Sequence, residues 1–368
     1  MDESLIVAIV MVTAAVIAFE LRVSSAILEI LAGMGLAFYF VDIAQLDWLR
    51  FLSNLGMLGL MFMVGFEVDV ERLRGTWRAS IAIGVSALLL PLAGVFCVAN
   101  FILGLAPLTA GLLAIGLSTT SLALVYNALR ERGTLHTEHG QILVAAASVV
   151  DVLSMVFLAI LMGDVGWGTA IFLLVAVPMI IGLPHFGKWI FRRYRGSLVE
   201  FELRFLLVLL LAMGFMAEKI GGIHPAVIAF ALGIVMSEIV DEHEELEQKL
   251  KGIVFSFLAP AFFLYAGMQL DIRLLTFDLV WTALLLLVVA CGLKYVGAAL
   301  PVRYLFKSSG RVAGLLFNYR LSFGIITATV GLKVGILTED LYAVCLLIVV
   351  ASAFLPAILL HDRAAEWE

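Results

Sequence analysis

The chain has 368 residues, 63% hydrophobic and 14% charged, with a mean hydropathy of +1.11 and a formal net charge of -6. A soluble domain lies near half apolar and a quarter charged, so this balance excludes an ordinary soluble fold and indicates a polytopic membrane protein. No basic patch with interleaved aromatics points to nucleic acid, no nucleophile–base pair or metal cluster points to an enzyme, and Cys97, Cys291 and Cys345 sit in apolar stretches without metal-ligand or disulfide spacing.

The chain begins Met-Asp-Glu-Ser, without a basic n-region, and its first apolar run ends in Glu-Leu-Arg without a small-residue cleavage site. It reads as a retained helix and not as a cleaved signal. A membrane helix needs about 20 apolar residues, and segmentation at charged, Pro and Gly clusters predicts about thirteen spans. They fall at 4–20, 23–41, 51–68, 79–103, 107–129, 139–162, 168–190, 201–217, 223–239, 251–269, 276–302, 310–332 and 339–361. The fold class is therefore an all-α membrane protein.

Most of the Lys and Arg fall after odd-numbered spans. They include Arg22, then Arg72, Arg74 and Arg78, then Arg130 and Arg132, then Lys188, Arg192, Arg193 and Arg195, with further ones through Arg363. The even-numbered loops hold Arg50, Lys219, Arg273 and Lys333. The positive-inside rule places the odd loops in the cytoplasm, with the N-terminus outside and the C-terminus inside.

Gly65-Phe-Glu-Val-Asp69-Val ends the third span, and Gly267-Met-Gln-Leu-Asp271-Ile ends the tenth. Leu31-Ala-Gly-Met-Gly35-Leu in the second span matches Ala229-Phe-Ala-Leu-Gly233-Ile in the ninth. Both matches are an odd number of spans apart, so the copies cross the membrane in opposite directions. The expected organisation is a six-helix repeat over 1–162, a linker helix and cytoplasmic loop over 163–198, and a second, inverted six-helix repeat with a short cytoplasmic tail over 199–368. Inverted repeats belong to secondary transporters, whose site lies near the midplane between the repeats.

Polar residues interrupt two spans that correspond in this scheme. The fifth carries Gly116-Leu-Ser118-Thr119-Thr120-Ser121, and the twelfth carries Asn318-Tyr-Arg320-Leu-Ser322-Phe-Gly324. These predict two broken, crossing helices whose free carbonyls and hydroxyls coordinate a cation. The bland alternative is that the hydroxyls bond the preceding turn or a neighbouring helix.

Three ionisable residues lie deep. Asp151 is near the centre of the apolar run Ile142 to Met162, where an ionised carboxylate costs at least ~2.5–3.5 kcal/mol. Its occupant is a proton, a metal cation or a buried basic partner. Lys294 lies in the eleventh span, where it pairs with Asp151 or snorkels to the cytoplasmic surface. Arg320 reads as a structural cation that caps the carbonyls of the broken helix. Glu29 and Asn127 lie nearer helix ends and read as helix–helix glue. His136, Glu138 and His139 fall in a cytoplasmic loop and read as solvated. The acidic, amphipathic run Glu238 to Lys251 reads as a helical connection into the tenth span.

Three phrases carry a family resemblance: Ser25-Ala-Ile-Leu-Glu29-Ile-Leu-Ala-Gly33, Leu58-Gly-Leu-Met-Phe-Met-Val-Gly65-Phe-Glu67-Val-Asp69 and Phe262-Phe-Leu-Tyr-Ala-Gly267-Met. With the order and spacing of the later spans, the chain resembles the monovalent cation:proton antiporter superfamily, in the branch of NapA-type sodium and Kef-type potassium exchangers. The resemblance implies that Ser118, Thr119 and Thr120 belong to a helix crossover at the ion site, that Asp151 is the essential ion-binding aspartate, that Lys294 is its charge partner, and that Arg320 is the arginine of the second break. It also implies a homodimer. Spans 4–6 and 11–13 would form an ion-carrying bundle, and spans 1–3 and 8–10 a scaffold. Two departures make the site less polar than the family pattern: Val150 stands where Asp, Asn or Gln usually precedes the aspartate, and the Arg-Gly-Glu element reads Arg320-Leu-Ser322. The Gly-rich βαβ motif of the Kef regulatory domain does not occur, so a regulatory subunit would be separate.

The expected function is exchange of Na+ or K+ for H+ by competition at Asp151, without a cofactor, in a bacterial or archaeal plasma membrane. Two rivals stand beside it. One is a non-transporting sensor or subunit of a larger assembly, to which Val150 and the altered Arg320 element point. The other is an organic-anion symporter in which Arg320 holds the anion.

Overall fold

The computed structural model describes residues 3–21, 24–39, 46–68, 70–163, 166–172, 174–176, 178–179, 182–183, 200–240, 244–270, 276–307 and 309–360. Among the described residues there are helices and connections and no strand. The helices are α1 (Glu3–Leu21), α2 (Ser25–Tyr39), α3 (Asp47–Phe66), α4 (Val70–Cys97), α5 (Pro107–Ser118), α6 (Leu122–Glu131), α7 (Glu138–Met162), α8 (Phe201–Met216), α9 (Pro225–Val240), α10 (Glu244–Ile253), α11 (Ala259–Met268), α12 (Phe277–Phe306), α13 (Arg311–Leu316), α14 (Ser322–Lys333) and α15 (Glu339–Leu360). Wider π-helical turns extend α4 over Val98–Ile102 and α8 over Ala217–Gly221, and join α10 to α11 over Val254–Leu258. Eight helices among the described residues, counting segments that join end to end, are long and apolar enough to cross a membrane. The shorter apolar helices include Ser25–Tyr39 and Ser322–Lys333.

Three edges differ from the sequence reading, the first being that of α4, which starts at Val70 and not at 79, with a kink at Thr76. α3 starts at Asp47 and not near 51, because the exposed ends of Asp47 and Arg50 ride the first turn without interrupting it. α12 runs on to Phe306, through Pro301 and Arg303. The predicted span at 168–190 is described only in part, and the basic cluster Lys188 to Arg195, with Arg22, Asp69, Asp271, Arg273 and Arg363, falls outside the described residues.

The chain divides into two compact units. Unit 1 comprises Met1–Gly33, Val41–Val68 and Met162–Gly267, and unit 2 comprises Met34–Phe40, Asp69–Leu161 and Met268–Glu368. Apart from the division of α2 and the inclusion of the linker region in unit 1, the units follow the grouping that the resemblance assigns to scaffold and ion-carrying bundle.

Unit 1 is built on close helix crossings. A Cβ at Gly65 of α3 would overlap the carbonyl of Phe230 in α9, and a Cβ at Gly267 of α11 would overlap the carbonyl of Ile30 in α2. Gly56 sits in the same way against the carbonyl of Leu258. The absent side chains let backbones touch, which is how membrane helices gain packing where burial from water does not drive association. At the polar edge, Lys249 of α10 bonds both carboxylate oxygens of Glu200 at 2.9 and 3.0 Å, ahead of α8.

Unit 2 packs α4 against α12 and closes over two apolar clusters. One gathers residues such as Leu122, Leu143, Val150, Val302 and Phe317, and the other Val95, Leu117, Leu286 and Ile348. Its two interrupted spans end in the same way. After α6, Gly133 takes φ 68, its N–H donates to Arg130 O, and the N–H of Thr134 donates to Leu129 O. After α14, Gly335 takes φ 74, its N–H donates to Leu332 O, and the N–H of Ile336 donates to Gly331 O. Both are Schellman closures on a left-handed glycine. Each is followed by a threonine N-cap: Thr137 accepts from Gly140 N at 3.1 Å and opens α7, and Thr338 accepts from Leu341 N at 3.3 Å and opens α15.

Candidate ion site at two helix breaks

The first break lies within unit 2 between α5 and α6. Thr119 has φ -72, ψ 164 and Ser121 has φ -90, ψ 108, so the chain is extended where the sequence is Ser118-Thr-Thr-Ser121. Short hydroxyl side chains compete with the helix for backbone partners, and Thr119 Oγ1 donates to Gly116 O at 3.1 Å. The second break lies between α13 and α14, where Leu321 has φ -149, ψ -88. The two breaks are tied together. The N–H of Ser121 donates to Tyr319 O at 2.7 Å, and Thr120 Oγ1 donates to Phe317 O at 3.2 Å. Backbone groups that would be orphaned in hydrocarbon thus find each other, which is the condition for irregular chain at membrane depth.

α12 runs beside both breaks and supplies the fixed points. Lys294 Nζ donates to the carbonyl of Ser118, the last residue of α5, so an ammonium sits at the negative end of that helix. Cations are favoured at such an end. One turn earlier on α12, Ala290 O accepts from Arg320 Nη2 at 2.9 Å and Cys291 Sγ lies 3.2 Å from Nη1. Asn318 Nδ2 donates to Cys291 O at 3.3 Å and to Gly314 O at 2.9 Å. A single stretch of α12 therefore grips the second break through Arg320 and Asn318 and the first through Lys294.

Lys294 and Arg320 are both 0% exposed. Full burial removes the snorkelling alternative for Lys294, and the run of α12 to Phe306 explains it, since the residue lies deeper than the sequence boundary implied. Among the described residues the hydrogen bonds of Arg320 reach α12, so it ties the second break to that helix.

Asp151 is 1% exposed, in the middle of α7. α7 returns antiparallel to the interrupted α5–α6 span. Gly140 lies against Thr134 at one end, and Gly111 lies against Leu161 at the other. Followed from these contacts, α7 brings Asp151 to the region of the first break. The charges of both Asp151 and Arg320 act on the Lys294 ammonium. The three deep ionisable residues of the sequence reading thus come together in unit 2.

Of the predicted hydroxyl ligands, Thr119 and Thr120 are buried and already donate to carbonyls, which leaves their oxygen lone pairs free to accept. Among the described residues the hydroxyls of Ser118, Ser154 and Thr327 are buried without a hydrogen-bond partner. Sequence reasoning did not single out Ser154 or Thr327, took Cys291 only as a cysteine in an apolar stretch, and included Asn318 only as part of the interrupted motif. Serine and threonine in apolar helices carry no signal of which way they point. Glu29 is 2% exposed on α2. His139 packs edge-on against Phe306 with ring centroids 4.6 Å apart.

Comparison with known proteins gives one consistent answer. Residues 6–361 match the family model described as sodium/hydrogen exchanger, transmembrane. A probable Na(+)/H(+) antiporter 3 of Methanocaldococcus jannaschii is 29% identical over 354 residues, covering 91% of this chain and 89% of that protein. The Na(+)/H(+)-K(+) antiporter GerN of Bacillus cereus is 27% identical, covering 86% and 83%. The structure of the sodium proton antiporter MjNhaP1 of Methanocaldococcus jannaschii at pH 8 superposes with a TM-score of 0.68 at 17% identity, over 98% of this chain and 96% of that one, so the two share a fold. The chain belongs to the sodium/hydrogen exchanger family, within the monovalent cation:proton antiporter superfamily of integral membrane transporters, and is not an enzyme.

Proposed function

We propose that this protein exchanges Na+ or K+ for H+ at a single site centred on Asp151. What supports the reading is a buried carboxylate whose charge acts on Lys294, the ammonium that holds the terminal carbonyl of the first break. An ionised carboxylate at this depth is costly, and on this reading Asp151 carries a proton in one state and a cation in the other. One group that carries one or the other couples the two flows. Ser118, Thr119 and Thr120 supply oxygen ligands to the cation, and the Lys294 ammonium competes with it for the same negative surroundings. The similarity to antiporters named for Na+ and, in one case, for K+ as well supports both ions as cargo. No cofactor enters this cycle.

The paired Schellman turns and threonine caps of unit 2 support the inverted repeat with halves at 1–162 and 199–368. So do the reciprocal crossings of unit 1, where Gly267 stands to Ile30 as Gly65 stands to Phe230. We take unit 2 as the ion-carrying bundle and unit 1 as the scaffold of a homodimer, in a plasma membrane with the N-terminus outside and the C-terminus in the cytoplasm. Cysteine labelling at Ser4 and Ala365 should occur from opposite sides, and labelling of both from one side would break the repeat.

The decisive experiment is pH-gradient dequenching in proteoliposomes with Na+, K+ and Li+ in turn. Asp151→Asn is isosteric but cannot exchange a proton. It should abolish cation-dependent proton movement while the purified protein stays monodisperse. Retained exchange would refute the mechanism.

A further inference from the structure

Ser154 is 0% exposed on α7, and among the described residues its hydroxyl has no hydrogen-bond partner. A serine in an apolar helix ordinarily donates back to the preceding turn, as Ser148 on the same helix does to Val144 O at 3.3 Å. Among the described residues Ser154 makes no such bond, so its hydroxyl is not spent on its own helix. Ser118 Oγ is also buried and without a partner. The two lie at one level. From the contact of Gly111 with Leu161, stepping to Ser118 along α5 and to Ser154 along the antiparallel α7 covers the same number of residues in opposite directions.

Ser154 also follows Val150 by one helical turn, at i,i+4 on the same stripe of α7. Val150 is packed in an apolar cluster and offers no ligand. A monovalent cation that leaves its water behind needs several oxygens, and a hydroxyl one turn along α7 from the carboxylate adds one to those of Asp151 and the first break. We propose that Ser154, with Ser118 opposite, donates a hydroxyl oxygen to the transported cation, and supplies from the next turn the polar group that this chain lacks at Val150. The inference rests on the antiporter reading and adds to it a residue that tunes cation affinity and choice.

The test has two readouts. One is the KM for Na+ and for K+ in proteoliposomes, and the other is the shift of the thermal unfolding midpoint of the detergent-purified protein on addition of NaCl or KCl, which requires no transport. Ser154→Ala should raise KM about fivefold or more, leave maximal rate within about twofold, and shrink the salt-induced midpoint shift, as expected for loss of one neutral ligand. Ser154→Thr, which keeps the hydroxyl, should hold KM within about twofold of the parent. If Ser154→Ala does not purify as a folded protein, Ser154→Cys substitutes for it, since a thiol is a poor ligand for hard alkali cations and should behave as the alanine does. A parental KM and midpoint shift in Ser154→Ala, or a rise in Ser154→Thr equal to that in Ser154→Ala, would overturn the assignment. Asp151→Asn, run in parallel, separates the two ideas. Exchange that survives Asp151→Asn defeats the antiporter mechanism, whereas a silent Asp151→Asn beside a parental Ser154→Ala removes only the ligand role of Ser154.

Discussion

In unit 1 the helices meet backbone to backbone. Gly56, Gly65 and Gly267 each face a carbonyl of another helix at a distance that no side chain permits, and the described helices of this unit are interrupted only by π-helical turns. In unit 2 two spans stop in mid-course. Asp151, Lys294 and Arg320 are buried around the stops, and several hydroxyls are left without partners among the described residues. The first arrangement gives contact without polar cost. The second accepts polar groups in hydrocarbon, each expensive unless paired, and pairs most of them through one turn of α12. Polar groups kept at such cost are a mark of function, and the contrast predicts that substitutions in unit 1 change stability while those at the breaks of unit 2 change what the protein does with ions.

The largest effect is expected in unit 1. Gly65→Val and Gly267→Val each drive a branched side chain into a carbonyl that belongs to helix backbone and cannot move aside. Overpacking of this kind costs about 1–3 kcal/mol or more. Neither variant should yield monodisperse protein by size-exclusion chromatography, and the two should fail alike, since their crossings are reciprocal. A well-folded Gly267→Val beside an unfolded Gly65→Val would break the equivalence of the two halves. Gly252, which has open space within 4 Å of where a Cβ would stand, is the control, and Gly252→Ala should be recovered normally.

At the breaks the effect moves to function. Arg320→Lys keeps a charge but loses the planar fork that reaches Ala290 O and Cys291 Sγ together. The tie between the second break and α12 is then weakened where Lys294 must be held one turn away. Exchange should fall at least about tenfold, with destabilisation of about 2 kcal/mol because carbonyl and sulfur lose their buried donor. Parental exchange in Arg320→Lys would show that the charge alone matters and that the fork does not.

The contrast between units was only half legible in the sequence. Both breaks were readable, because Ser118-Thr-Thr-Ser121 and Asn318 to Ser322 place polar residues where an apolar span should continue. Asp151, Lys294 and Arg320 were readable for the same reason. The boundaries of α3 and α12 were not. Asp47, Arg50 and Arg303 look like loop residues in one dimension, yet a helix carries charge freely once it leaves the apolar layer. The partners of Arg320 and the idle hydroxyl of Ser154 depend on side-chain direction, to which spacing is blind. Glycines recur throughout such chains, and only the crossings single out Gly65 and Gly267 from Gly252.

The smallest effect tests whether unit 2 is sensitive everywhere or only at its breaks. Thr137 and Thr338 cap α7 and α15 just past the two Schellman turns, each accepting an N–H through its hydroxyl and a second through its carbonyl. Replacement of an N-cap threonine by alanine costs about 0.5–2 kcal/mol, because one amide at the helix start loses its acceptor. Thr137→Ala and Thr338→Ala should therefore each lower the thermal unfolding midpoint by a few degrees, with the KM for the cation and the pH dependence of exchange left at parental values. Thr137 should lose slightly more, since its bond to Gly140 N is 3.1 Å against 3.3 Å from Leu341 N to Thr338, and it also donates to Thr134 O at 2.7 Å. The caps stand at the far ends of α6 and α14 from the breaks, so a changed KM in either variant would mean that ion handling extends along the whole of these half-helices and is not confined to the crossing at Ser121 and Tyr319.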